Sequence, residues 1–274
     1  MADYTKVIEI NPKNTVAYYN RGNIKANQQN FNGALADYSK AIEINPNNNL
    51  FYIAKGNTRK NLKDYSGAIV DYTKAIEINP ENSTAYISRG NARKSLKDYA
   101  KAIEDYTKAI EISPNLTDAY NNRGLTKYDL QDFIGAQADY DKVIDLDPNY
   151  KDIYKNRANA KMGLKDFSGA IIEFSKILEV DSMNEVIYFN RGLAKYNLQD
   201  KNGAIEDYTK AIAINPKYVS AYLNRGVSNY GLKNNSLAID DFSKVIEINP
   251  NDANGYSRRG LVKISMGQKE SGCL

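Results

Sequence analysis

Eight basic residues, Arg21, Lys55, Arg89, Arg123, Arg157, Arg191, Arg225 and Arg259, recur every 34 residues. An acid follows each of the first seven at a spacing of 16: Asp37, Asp71, Asp105, Asp139, Glu173, Asp207 and Asp241. Charges placed so regularly look like the contents of an active site, but a feature present in every unit is scaffold before it is chemistry. We read it as an ion pair, within a unit or between neighbours, that holds two elements in register. A second series, Lys6, Lys40, Lys74 and onward, has an acid three residues later in most units and reads as an exposed helix-surface pair. Neither series identifies a ligand.

The rest of the composition removes most catalytic parts. The chain of 274 residues has no His and one Cys, Cys273. Zinc sites built from Cys and His, a Cys-His pair, a Ser-His-Asp triad and an intrachain disulfide are therefore excluded. No metal or cofactor is expected, no glycine-rich phosphate loop is present, and the chain is expected not to be an enzyme. With 42% hydrophobic and 11% aromatic residues it is a folding sequence, and no apolar run approaches the roughly 18 residues of a membrane span. The N-terminus, MADYTKVIEINPKN, lacks the basic start and apolar run of a signal peptide.

The elements that position the charges follow from the period. Prolines stand at 12, 46, 80, 114, 148, 216 and 250, and Ser182 fills the missing slot. Seven units of 34 residues then run without a gap from 15 to 252. Each holds two stretches of helical periodicity, A and B, separated by a polar break and closed by proline, which cannot continue a helix. Each unit is a helical hairpin. Asp64, Asp98, Asp132, Asp166 and Asp200 stand where the N-cap of helix B belongs. Glycine at position eight (Gly22, Gly56, Gly90, Gly124, Gly192, Gly226 and Gly260) costs a helix about 1 kcal/mol against Ala, so close helix approach is expected there. The fifth unit is irregular, with Ala158 in the glycine slot and Ser182 in the proline slot.

With a tyrosine at position four (Tyr18, Tyr52, Tyr86 and onward), Gly at eight, Ala at twenty, Tyr or Phe at twenty-four and Pro at thirty-two, the period resembles the tetratricopeptide repeat (TPR). Two departures, Arg or Lys at position seven and mostly Lys or Arg at eleven, give an N-R-G form similar to a bacterial-type variant. The resemblance implies an all-α fold: a right-handed superhelical α-solenoid of antiparallel helix pairs, with helix A lining the concave side. The expected organisation is a single array. Residues 1–14 form a partial repeat, helix B only; 15–252 form seven full repeats; 253–274 form a partial repeat, helix A and the start of helix B. Both ends fall inside a hairpin, so the chain is expected to be a piece of a longer protein. The two half-repeats are nearly complementary, and head-to-tail self-packing through them is expected in a crystal. The compartment stays open; a cytoplasmic setting is favoured for this stretch, while a signal or anchor outside it is compatible with everything above.

On that implied geometry, positions two, five, six, nine, twelve and thirteen of helix A face the groove. They carry an asparagine ladder: Asn20, Asn23, Asn57, Asn91, Asn122, Asn156, Asn159, Asn190 and Asn224. An amide side chain has an acceptor and two donors, so such a ladder pairs with peptide backbone without reading side chains. It is similar to the groove of the O-linked N-acetylglucosamine transferase repeats. Lys155, Asn159 and Asn190 also match two parts of the carboxylate clamp of chaperone-binding relatives, but Ser220 and Asn224 stand where its two further cations belong. Later repeats add apolar groove candidates, among them Phe189, Tyr196 and Tyr230. The expected function is a non-catalytic protein-interaction scaffold that binds an extended peptide or partner segment of unknown identity. Two alternatives stand beside it: an RNA-binding helical-repeat module, disfavoured by a net charge of only +4, and a regulatory or assembly module of a larger protein. No nucleic acid and no membrane are expected as partners.

Overall fold

The computed structural model describes residues 1–150 and 152–267. Those residues form sixteen α-helices and no strand. The first compact unit, Met1–Tyr150, contains α1 (Ala2–Ile10), α2 (Thr15–Asn27), α3 (Phe31–Ile44), α4 (Asn49–Asn61), α5 (Tyr65–Ile78), α6 (Ser83–Ser95), α7 (Tyr99–Ile112), α8 (Thr117–Asp129) and α9 (Phe133–Leu146). The second, Lys151–Leu274, contains α10 (Ile153–Gly163), α11 (Phe167–Val180), α12 (Glu185–Asn197), α13 (Lys201–Ile214), α14 (Val219–Gly231), α15 (Asn235–Ile248) and α16 (Ala253–Ser265). From α2 onward the even-numbered helices are A and the odd-numbered ones B. Within each unit every helix packs on the next, and neighbouring A helices also touch: α2 on α4, α4 on α6 and α6 on α8 in the first, α12 on α14 in the second.

The hairpins close on one device repeated with small changes. Position fifteen is left-handed in the seven A-to-B turns, at Gln29, Lys63, Lys97, Gln131, Lys165, Gln199 and Lys233, with φ of 61 to 65°. The next residue begins helix B as its N-cap. Asp64 Oδ1 accepts from the Gly67 N–H at 2.9 Å, and Asp132, Asp166 and Asp200 cap Gly135, Gly169 and Gly203 in the same way. Asp98, expected to do likewise, makes no side-chain cap bond. The residue three on is Lys101 rather than Gly, and at the glycine positions a Cβ would collide with the capping carboxylate. Asp98 instead lies 3.4 Å from the Lys101 ammonium.

The core is a column of small residues and rings. Tyr38, Tyr72, Tyr106, Tyr140, Tyr208 and Phe242 at position twenty-four are essentially inaccessible, as are the alanines at position twenty. Position eight is where A and B approach most closely: a Cβ at Gly22, Gly56, Gly90, Gly124, Gly192 or Gly226 would lie 2.7 Å from the ring of the same repeat. The expected close approach is thus a contact with a position-twenty-four ring. At the extremes, Ile10 of α1 and Ile264 of α16 are exposed. The start of a helix B after α16, and Cys273, lie outside the described residues. None of the described helices is long and apolar enough to cross a membrane.

Candidate functional site

The charge ladder is intra-repeat. Arg21 donates from Nε and Nη2 to the two carboxylate oxygens of Asp37 at 3.0 and 2.7 Å, and the same fork joins Arg191 to Asp207. Arg89, Arg123 and Arg225 make it with Asp105, Asp139 and Asp241. A further Nη1 bond reaches a hydroxyl on helix B of the preceding repeat: Thr5 for Arg21, Thr73 for Arg89, Thr107 for Arg123, Ser175 for Arg191 and Thr209 for Arg225. Each of these guanidiniums also lies 5.5 to 5.7 Å from the centroid of its position-four tyrosine ring. One residue therefore ties helix A to its own helix B and to the repeat before.

Position eleven, whose role the sequence reading left open, supplies a second cation to the same buried acid. Lys25, Arg93, Lys127 and Lys195 reach Asp37, Asp105, Asp139 and Asp207 at 2.8 to 2.9 Å, and Lys161 reaches Glu173 at 3.1 Å. Burial pushes the Asp37 carboxyl up, but hydrogen bonds from Arg21 and Lys25 outweigh it and hold the group below the usual carboxylate range. In the seventh repeat the neutral Asn229 stands in for the second cation and donates to Asp241 Oδ2 at 3.3 Å, and in the second repeat the fork itself is missing. Lys55 cannot form the fork, Arg59 Nη1 lies 3.0 Å from Asp71 Oδ2 while donating to the Gly67 carbonyl, and Oδ2 has no hydrogen bond. Burial there prevails and raises the Asp71 carboxyl.

The opposite edge of helix A carries the amides. A cavity of about 440 Å³ opens between α2 and α4, lined by Asn23, Asn27, Asn57 and Asn61 together with apolar side chains that include Tyr19, Leu50 and Ile53. The sequence reading named Asn23 and Asn57; Asn27 and Asn61, one turn further on at position thirteen, complete the ring. Two of the four are fixed from below. Tyr38 and Tyr72 donate their hydroxyls to Asn23 Oδ1 and Asn57 Oδ1 at 2.7 Å, and Tyr106 does the same to Asn91. Burial raises the Tyr38 hydroxyl to about 12, so it stays a donor. The position-nine amides are thereby oriented with Oδ1 toward the core. Among the described residues their Nδ2 groups donate no hydrogen bond.

The other candidates fall as follows. In the first unit Asn20 and Asn122 are half-buried on α2 and α8. In the second, Asn156 and Asn159 are half-buried on α10, and the ring at position twenty-four of that repeat, Phe174, has no hydroxyl to offer Asn159. Lys155 pairs with Asp152 at 2.9 Å. Asn190 and Tyr196 are half-buried on α12. Phe189 stacks obliquely on Tyr208 and Tyr218, with centroids 5.8 and 5.1 Å away. Asn224 donates to its own helix at Ser220 O, and Tyr230 packs with Leu223 and Val227 against Ala238, Phe242 and Val262. Asn23 and Asn57 are thus brought into one cavity, whereas Tyr230 is engaged in the packing of its own repeat on the next.

Where Leu193 replaces the position-nine amide, the buried Tyr208 hydroxyl is left without a hydrogen-bond partner. The matched pair Val227 and Phe242 in the next repeat removes both polar groups together.

Family models agree with this architecture. Models described as tetratricopeptide repeat match residues 15–48, 50–82, 71–104, 117–150, 186–218 and 219–252, and one described as TPR repeat matches 90–131. No curated protein sequence matches the chain. Among solved structures, the C-terminal part of a TPR repeat-containing protein from Cytophaga hutchinsonii is 18% identical, with a TM-score of 0.76 over 88% of this chain and 98% of that one. A tetratricopeptide repeat protein from Parabacteroides merdae is also 18% identical, with a TM-score of 0.63 over 96% and 99%. YrrB, described as a TPR protein with an unusual peptide-binding site, is 21% identical with a TM-score of 0.59 over 69% and 97%.

Proposed function

The chain belongs to the tetratricopeptide repeat family, whose repeats serve as scaffolds for protein–protein interaction, and from that premise we propose that helix A binds an extended peptide through its backbone. The observation that carries this reading is the amide-ringed cavity between α2 and α4. With Oδ1 of Asn23 and Asn57 taken by phenols, what these side chains offer a ligand is chiefly N–H. Their partners are then carbonyl oxygens, which an extended peptide presents at every residue whatever its side chains. Each bond contributes about 0.5–1.5 kcal/mol net, so affinity accumulates over several positions. The role is non-catalytic, and the peptide-binding site described for YrrB is in keeping with it.

The test uses a peptide selected from a displayed random library and labelled for fluorescence polarisation. Asn27→Ala with Asn61→Ala removes two cavity amides that hold no buried tyrosine. Two lost bonds should weaken binding by about 5- to 150-fold without lowering the melting temperature. Unchanged affinity would refute the reading.

A further inference from the structure

Position thirty-four, just before the next helix A, is large in three repeats and fills the space beside helix A of its own repeat. Leu116 packs with Ile87 against the cluster around Tyr86 and Ala119. Tyr218 lies against Phe189. Tyr150 donates its hydroxyl to Asp118 Oδ1 at 2.6 Å, beside Asn121. Asp118 and Asn121 are positions two and five of their repeat. In the fifth repeat the acid at position two is present, as Asp152, but position thirty-four is Asn184. That side chain is engaged locally: its Oδ1 accepts from the Ile187 backbone N–H at 3.1 Å and its Nδ2 donates to the Asp181 carboxylate at 2.8 Å. A cavity of about 360 Å³ stands open beside it.

Ile177, Val186 and Ile187 supply the aliphatic side of this cavity; its polar lining is Asp152 with Lys155, 2.9 Å apart, and Asp181, which already accepts from Asn184 Nδ2. Ile187 is fully buried, whereas Val186 is exposed. Of the seven whole repeats only the fourth and fifth have Asp at position two. The fourth fills its slot with its own tyrosine; the fifth has the acid and the slot without the ring.

We propose that this cavity receives a tyrosine side chain from a partner segment, the ring lying on the aliphatic wall and the hydroxyl donating to Asp152. The proposal rests on the groove reading, because Asp152 and Lys155 belong to the helix A edge. It adds what a backbone-binding ladder lacks, a side-chain preference. Phenylalanine fits the same wall but leaves Asp152 without the hydrogen bond, and a hydrogen bond to a charged group separates the two by about tenfold or more in affinity.

The test is a titration of the full chain, labelled at isoleucine methyl groups, with the peptide acetyl-Gly-Tyr-Gly-amide, its phenylalanine counterpart and p-cresol. Saturable shifts of Ile177 and Ile187 are expected with the tyrosine peptide and p-cresol, about tenfold weaker with the phenylalanine peptide. Asn184→Tyr, which supplies the ring internally, should abolish them. Asp152→Gly, which removes the carboxylate and suits the left-handed φ of 63° at this exposed position, should erase the difference between tyrosine and phenylalanine while the spectrum stays folded. Unmoved Ile177 and Ile187 methyls, or a preference that survives Asp152→Gly, would overturn the proposal. Binding of p-cresol without the peptide would overturn it in favour of a small free phenol. Self-association that Asn184→Tyr removes would overturn it in favour of a second copy of the chain. Asn27→Ala with Asn61→Ala, in the first unit, should leave these shifts unchanged, so failure of the amide ladder and failure of the tyrosine slot are separately visible.

Discussion

Removing one hydroxyl from a buried tyrosine should have opposite effects in two repeats of this chain. Tyr72 and Tyr208 occupy the same position, are equally buried and close on a glycine in the same way. They differ in what the hydroxyl meets: Asn57 Oδ1 at 2.7 Å for Tyr72, nothing for Tyr208, whose neighbour at position nine is Leu193. Tyr72→Phe deletes a hydrogen bond but leaves the exposed Asn57 able to turn to water, so the loss is that of one net bond, about 1 kcal/mol. Tyr208→Phe deletes a group that has lost its hydration without gaining a partner. Relief of that desolvation is worth roughly 1 to 3 kcal/mol, less the contacts of one oxygen atom, so the variant should match or exceed the parent. Urea denaturation followed by circular dichroism, with hydrogen exchange of the affected helix pair, measures both. Hydrogen exchange is needed because repeats unfold in segments and a single transition averages over them. Equal destabilisation by the two substitutions would refute the reasoning.

Lys55→Arg should restore the fork to Asp71 and the stacking on Tyr52, stabilising the chain by about 1 kcal/mol at neutral pH. The pH dependence has a definite sign. Asp71 is raised in the fold, so it binds its proton more readily folded than unfolded, and acidification through the carboxylate range should favour the native state at this site. In Lys55→Arg the group should be lowered like Asp37, and the gain should vanish as pH falls through the carboxylate range; a gain that persists in acid would contradict this. Lys97→Gly, at a left-handed φ of 61°, should stabilise by roughly 1 kcal/mol, and a loss in thermal melting would show that its side chain holds the turn.

Much of this was legible in the sequence because each unit prints the same pattern again. The 34-residue period, the helix pairs, the pairing of position seven with twenty-three and the close approach at Gly22 or Gly56 follow from periodicity, caps and the cost of a mid-helix glycine. Relations across the hairpin were not legible. Asn23 and Tyr38 are 15 residues apart on different helices, and nothing in either type marks the pair until the helices are laid together. The second cation at position eleven was visible as a departure but not as a ligand of the acid, since its reach depends on helix rotation. Asp98 looked like its sister caps, and only the Cβ of Lys101 distinguishes it. The asparagine ladder was legible as a series of polar residues on one face, whereas its orientation by buried phenols required the three-dimensional packing.

The most direct test of the central claim is a crystal structure of the chain with a library-selected peptide. The peptide should lie extended along the helix A edge, its carbonyl oxygens within hydrogen-bond distance of Asn23 and Asn57 Nδ2. A peptide bound on the helix B face, or held by side chains alone with those amides unengaged, would contradict it.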